Sequence, residues 1–183
     1  MIDYIIETNP FIISDTHLNH RNIIKYTGRP FYYVKEMDRT IIDNWNSVVS
    51  PQDFVLHLGD FSLSSKAQTV EYINALNGHI ILILGNHDRR TVTWWERMGM
   101  FLATNSPITY ENIVFSHRPV DIHDECINIH GHIHEHKARD DKHINVSVER
   151  LNYTPVRLHT ILERFNSDFN KCIRDRAICM FFC

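Results

Sequence analysis

Glycine is scarce in this chain: 6 copies in 183 residues, against 13 histidines. Glycine is ordinarily among the commonest residues, and histidine is the commonest protein metal ligand, so the imbalance itself points to metal chemistry. Long apolar runs are missing too. None reaches the roughly 18 residues a bilayer-spanning helix needs, which excludes that kind of anchor and leads us to expect a soluble protein. Excess positive charge is also lacking. A formal net charge of -3 and a pI near 6.5 argue against a surface that grips long nucleic acid by neutralising phosphates, although a local cationic pocket is still allowed. The four cysteines, Cys126, Cys172, Cys179 and Cys183, form no CxxC pair. With no signal peptide legible, they read as reduced thiols in a cytoplasmic protein. Repeats, linkers and low-complexity stretches are absent. Hydrophobic residues at 43% and charged residues at 22% are near the globular average. We therefore expect one folded domain over residues 1–183, with residues 160–183 forming a C-terminal helix and an apolar tail.

What is there is a rhythm of strands and helices. Pro10 to Ser14 is a short apolar run stopping at Asp15, and reads as a buried strand, with Met1 to Ile6 as a possible partner strand. Val34, Met37, Ile41, Ile42, Trp45 and Val48 recur at steps of three and four, which predicts a helix over Val34 to Val49. Asp53 to Leu58 is a second buried strand. Ser64 or Ser65 caps a helix ending before Asn77-Gly78, and Ile80 to Leu84 is a third strand. Such alternation implies parallel strands covered by helices. After a helical segment over Thr91 to Met98 come short runs at Phe101, Ile108, Ile113, Ile127, Ile144 and Val156. They read as a strand-rich, mostly antiparallel second half, followed by a helix from His159 to about Phe169.

Five strand or loop ends carry polar clusters: Asp15-Thr-His17, Gly59-Asp60, Gly85-Asn-His-Asp88, Ser116-His117 and Gly131-His-Ile-His134. Ligand sites of open α/β sheets lie outside the carboxyl ends of the strands, so these clusters are expected to converge. Asp15, His17, Asp60, Asn86, His117, His132 and His134 together form an oxygen/nitrogen donor set suited to Mn, Fe, Zn or Ni as divalent ions. Seven donors are too many for one tetrahedral ion and suit two ions roughly 3.5–4 Å apart, the arrangement used for displacement at phosphorus. In extended backbone, residues i and i+2 face the same side, so DxH and HxH would each aim both ligands at one pocket.

The ordered series DxH, GD, GNHD, lone His and GHxH resembles the calcineurin-like metallophosphoesterase superfamily, and the stretch from Ile13 to Ile24 resembles its small, uncapped bacterial and phage members. That resemblance implies a four-layer αββα sandwich of two mixed β-sheets flanked by helices. It assigns Asp15, His17 and His134 to one metal, Asn86, His117 and His132 to the other, and Asp60 to both. It makes His87 the group that stabilises or protonates the leaving oxygen, with Asp88 holding that imidazole in its working tautomer. The implied reaction is phosphoester hydrolysis by a metal-bridging hydroxide with two divalent transition ions, manganese foremost. The substrate would be a small phosphodiester, such as a cyclic nucleotide or a short oligonucleotide. The lone-His motif departs from the usual Gly-His by reading Ser116-His117, and Phe61-Ser62 follow Gly59-Asp60 in place of a more polar continuation.

Arg89, Arg118 and His20 lie close to these motifs in sequence and are candidate substrate contacts. Trp94-Trp95 would supply a stacking face or core. The chain is expected to be a monomer or homodimer, without membrane or long-DNA binding. Rival readings are a nuclease acting on single-stranded or short nucleic acid and a non-catalytic scaffold of the same fold.

Overall fold

Three apolar runs become neighbouring strands. In a computed structural model that describes residues 1–165, β1 (Phe11–Ile13), β2 (Phe54–His57) and β3 (His79–Ile83) lie parallel, with Ile12 opposite Leu56 and Leu56 opposite Ile81. β4 (Leu102–Thr104) extends this sheet in parallel beside β3, and β9 (Val156–Arg157) closes the other edge antiparallel to β1. The strands are apolar on both faces because both faces are covered. On one side, Phe11, Ile13, Val55, Ile80 and Leu82 pack with α3 (Val34–Val48) through Met37, Ile41 and Trp45, with α4 (Lys66–Ala75) through Ile73, and with α5 (Val92–Arg97) through Trp95. Ser65 and Thr91 cap α4 and α5 by accepting from Gln68 N and Trp94 N, which satisfies amides the helix leaves open.

On the other side, Ile12, Leu56, Ile81 and Ile83 meet Ile113, Phe115 and Ile129 of a second sheet. Its strands are β5 (Ile108–Tyr110), β6 (Ile113–Ser116), β7 (Ile127–His130) and β8 (His143–Asn145), in that order. The fold is thus α/β, with two mixed sheets face to face and helices α3, α4 and α5 packed on the outer face of the first. Alternation turns Asn128 and His143 to the opposite face, where a loop covers them. There Val120 N donates to Asn128 Oδ1 at 3.0 Å, and Val120 O lies 2.9 Å from His143 Nε2.

Two expectations are corrected. Met1 to Ile6 is not a strand: β1 already has β2 and β9 as neighbours, and α1 (Ile2–Glu7) instead buries Ile5 and Ile6 in the core between the sheets. The three- and four-residue spacing of Ile2, Ile5 and Ile6 is helical. Nor is the second half mostly antiparallel, since β6, β7 and β8 run parallel and only β5 and β9 reverse direction. Loops 117–126 and 131–142 carry the chain back each time, which short apolar runs alone do not reveal. A short α2 (Ile23–Tyr26) was not anticipated. Residues 158–165 are helical and bury Leu158 and Ile161 between the sheets. The remainder of that expected helix and the Cys172 to Cys183 tail lie outside the described residues. Among the described residues no helix is long and apolar enough to cross a membrane.

Candidate metal centre

The parallel strands of both sheets end at one edge of the molecule, where an isolated bridge joins Ser14 to Ser147. The chain does not leave these strands in extended form. Asp15, His17, Asp60, His132 and His134 have φ of 59°, 48°, 55°, 70° and 50°, so the DxH and HxH pairs converge through left-handed turns and not through strand alternation, which corrects the expected geometry. Such conformations cost of order 1–3 kcal/mol each in non-glycine residues and persist only where the surroundings impose them. Here the surroundings are neighbouring loops: Asp15 N donates to Gly59 O at 2.9 Å, His17 N to Asp60 O at 2.9 Å and Gly131 N to His117 O at 3.0 Å.

The turns gather two clusters. Asp15, His17 and His134 bring one ligand atom each within 4.8 Å of one another, and Asp60, His117 and His132 do the same. Asp60 Oδ2 lies 3.4 Å from His17 Nε2 and 3.5 Å from His117 Nε2, between the clusters. Asn86 Oδ1 is 3.0 Å from His117 Nε2 and so joins the second. All seven expected donors therefore meet in one place.

Their hydrogen bonds fix which atoms face inward. Ser147 Oγ and His132 N both donate to Asp15 Oδ2 at 2.9 Å, while Asp15 Oδ1 and His17 Nε2 are buried without a hydrogen-bond partner among the described residues. Orphaned buried polar atoms are costly, and a cation between them would satisfy both. The far nitrogens are anchored: His117 Nδ1 lies 2.8 Å from Leu58 O, His134 Nδ1 3.2 Å from Glu149 Oε1 and His17 Nδ1 3.2 Å from His20 Nδ1. Such outer partners orient metal-binding imidazoles.

Protonation follows the same logic. Burial holds His17 well below the usual imidazole range and takes His132 down to about 4, so both are neutral donors at neutral pH. Burial also pulls at His134, but its hydrogen bond to Glu149 and the charges of Asp15 and Glu149 outweigh that and raise it. Burial raises the Asp15 carboxyl. Nearby divalent charge would restore its ionised form.

The residues fit a pair of cations, and the whole chain agrees with that reading. Residues 11–172 match the calcineurin-like phosphoesterase family. The chain belongs to that family. This phosphoesterase is 42% identical over 168 residues to the uncharacterized protein MJ1445 of Methanocaldococcus jannaschii, covering 84% of the chain and 89% of the relative. It is also 37% identical over 84 residues to the Gene 66 protein of Mycobacterium phage L5, a match covering 44% of the chain and 40% of the phage protein. In fold it is similar to the crystal structure of a protein of unknown function, AQ665 from Aquifex aeolicus. The TM-score is 0.64 at 26% identity, covering 84% of this chain and 97% of the other.

Within the phosphoesterase, the remaining candidates fall in different places. His87 donates its backbone N–H to Asp60 Oδ1 at 2.8 Å, and its ring centroid lies 5.3 Å from that of His17. Asp88 does not orient that ring, contrary to expectation. Its Oδ2 accepts from Asp60 N at 2.7 Å and Gly85 N at 2.8 Å, and its Oδ1 accepts from Phe61 N at 3.0 Å. Asp88 therefore ties the GD turn to the GNHD turn. Burial pushes its carboxyl up to about 7, against the backbone amides that favour the ionised form. His20 stands behind His17. Arg118 Nη2 donates to Asn86 Oδ1 at 3.3 Å, and Arg89 shares a cavity wall with His87.

Three residues support the donors in ways the sequence does not show: Ser147 and Glu149 draw no notice there, and Arg29 stands out only as one of the arginines close to the motifs. Ser147 and Glu149 follow β8 and carry no motif of their own. Arg29, only 4% exposed, donates from Nη2 to Asp15 O at 2.7 Å, from Nη1 to Thr16 O at 3.0 Å and from Nε to Glu149 Oε1 at 2.9 Å. Its charge and that of His134 hold Glu149 low, outweighing the burial that would raise it.

Proposed function

We propose that the chain hydrolyses a phosphodiester of a small, nucleotide-type molecule in the cytoplasm, using two divalent transition ions, manganese foremost. The observation that carries this reading is the place of Asp60 Oδ2, within 3.4 and 3.5 Å of an imidazole from each donor cluster. It supports a carboxylate shared by two ions, one on Asp15, His17 and His134 and the other on Asn86, His117 and His132. A donor set of nitrogen and oxygen without thiolate supports manganese, iron, zinc or nickel. When bound, the two ions would supply Lewis-acid polarisation of the phosphoryl oxygens and an activated water.

The side chains around the donors support the rest. His87 stands beside His17 and is not a member of either cluster, so its imidazole is available to give a proton to the departing oxygen. Arg118, at the rim beside Asn86, presents a guanidinium to a non-bridging oxygen. His20 fixes His17 and faces a separate recess of about 340 Å³ that His87 and His134 also line. Asp88 acts through the backbone, setting the distance between the turns that carry Asp60 and His87.

Metal content and turnover of bis(p-nitrophenyl) phosphate test the reading together. His87→Ala should retain two metals per chain and lose roughly a hundredfold or more in turnover, whereas Asp60→Ala should lose both metals and turnover. An unchanged rate in either variant, or two tightly held metals in Asp60→Ala, would sink it.

A further inference from the structure

His87, which lines the recess holding His20, also lines a second cavity of about 380 Å³ together with Ser62, Ser64, Thr69, Arg89, Arg90, Trp94 and Trp95. We infer that this cavity receives the leaving group, and that the leaving group carries a phosphate of its own. The inference rests on the phosphodiesterase reading and adds to it which portion of the substrate is recognised and by what.

Four observations point the same way. First, His87 is the one residue common to both recesses among the described residues, so a group protonated by it departs into one or the other. Second, the recesses differ in charge. The one beside His20 is lined by Glu135 and no arginine. The other holds Arg89 and Arg90, and neither has a carboxylate partner among the described residues. Two unpaired guanidiniums in a chain of net charge -3 form the local cationic pocket that the overall charge leaves possible, and the guanidinium fork matches phosphate. Third, the Arg90 guanidinium lies over the Trp94 ring, 5.4 Å from its centroid, which restrains the long side chain at the cavity wall.

Fourth, one lining residue offers an open donor. Trp95 is 2% exposed, and its buried Nε1 has no hydrogen-bond partner among the described residues. A buried indole N–H normally finds one. Next to it, Thr69 Oγ1 spends its proton on Ser65 O at 2.9 Å, while Ser62 and Ser64 lie 3.3 and 3.1 Å from that same oxygen. With its proton committed, Thr69 Oγ1 can only accept from these serines, and Ser64 Oγ also lies 3.2 Å from Ser62 Oγ, so the hydroxyls are engaged with one another and the indole N–H of Trp95 is the donor left open. Cationic and aromatic groups with an open indole N–H together suit a phosphorylated nucleoside better than a plain alcohol or an aryl group.

The test uses the full chain in excess chelator, so that phosphate cannot reach bound metal. Tryptophan fluorescence is titrated with adenosine 5′-monophosphate and with adenosine, and Trp94→Phe assigns the signal. The monophosphate should bind roughly tenfold or more tighter than the nucleoside, and Arg89→Ala/Arg90→Ala should erase the difference. Equal affinities in the wild type, or an undiminished preference in the double variant, would overturn the inference. With metal restored, the double variant should bring the kcat/KM ratio of 5′-phosphorylated to unphosphorylated linear diadenylate close to one. A chain that hydrolyses no diester yet prefers the monophosphate in chelator would refute the proposed reaction and leave this subsite standing.

Discussion

Two buried imidazoles, His57 and His17, use their ring nitrogens differently. His57 is fully buried, yet both its nitrogens are used: Gly59 N donates to Nδ1 at 3.2 Å and Thr16 Oγ1 lies 3.0 Å from Nε2. Thr16 in turn donates to Phe61 O at 2.8 Å, so the neutral ring binds the DxH turn to the GD turn. His17, as deeply buried, keeps Nε2 without a hydrogen-bond partner among the described residues. Burial takes His57 down to about 3. Its folded pKa is thus depressed below the unfolded value near 6.5, so the unfolded chain binds more protons between those limits. The contribution is complete above about pH 6.5 and is lost as pH falls toward 3, at about 1.4 kcal/mol per unit. In metal-free protein, denaturant unfolding at pH 7 and pH 5 should show His57→Gln losing about 2 kcal/mol less than wild type on acidification. Equal losses would show that His57 is not held neutral. Sequence distinguishes the two histidines by position, since one sits within the β2 run and the other in DxH. It could not reveal Asp88's task, because the amides that occupy its carboxylate belong partly to Asp60 and Phe61, remote in the chain.

At the scale of elements, two glycines explain why the loops approach so closely. A Cβ on Gly85 would overlap the Asp60 carboxylate and its backbone N, and one on Gly131 would overlap Ser14 Oγ and Asp15 Oδ2. Each glycine of GNHD and GHxH thus makes room for a carboxylate of the candidate metal centre, delivered by another strand. Gly131→Ala must therefore push Asp15 out of its bonds to Ser147 and His132 N. Overpacking of this kind costs typically about 1–3 kcal/mol, and the larger consequence falls on the donors. The variant should fold with a lowered midpoint and hold less than one full complement of metal by elemental analysis. Full occupancy at wild-type affinity would contradict the packing argument. The elements that deliver these turns were legible where periodicity was long: α3, α4 and the strands β1 to β3 fall within a residue or two of expectation. It failed where runs were short. Six residues at the start are too few for a secure period: the Ile2, Ile5 and Ile6 spacing is helical, and the occupied edges of β1 leave no place for a strand. The parallel course of β6, β7 and β8 depends on loops whose path no local pattern encodes.

Across the whole molecule, each donor cluster draws on both sheets. Asp15 and His17 follow β1 and His134 follows β7; Asp60 and Asn86 follow β2 and β3, and His117 and His132 follow β6 and β7. An ion in either cluster would therefore cross-link the two halves of the sandwich at the edge where the apolar core ends. The chain supplies one such link itself, the buried pair of Arg29 Nη2 and Glu149 Oε1 at 2.8 Å, spanning the DxH turn and the segment after β8. The rest of that edge holds Asp15 and Asp60 carboxylates close together, which repel when ionised. Metal should thus stabilise the fold as a whole and not merely order a loop. Ligand at a hundredfold its Kd contributes about 2.7 kcal/mol, which for a chain of this size corresponds to a rise of about 5–10 °C in Tm. Calorimetry of wild type with manganese and with excess chelator should show that difference in a single transition. Asp60→Asn, which removes the shared charge while keeping the shape, should unfold at the same temperature in both. Equal wild-type midpoints would show that the sheets are joined without metal. A shift of full size in Asp60→Asn would show that the ions are held elsewhere.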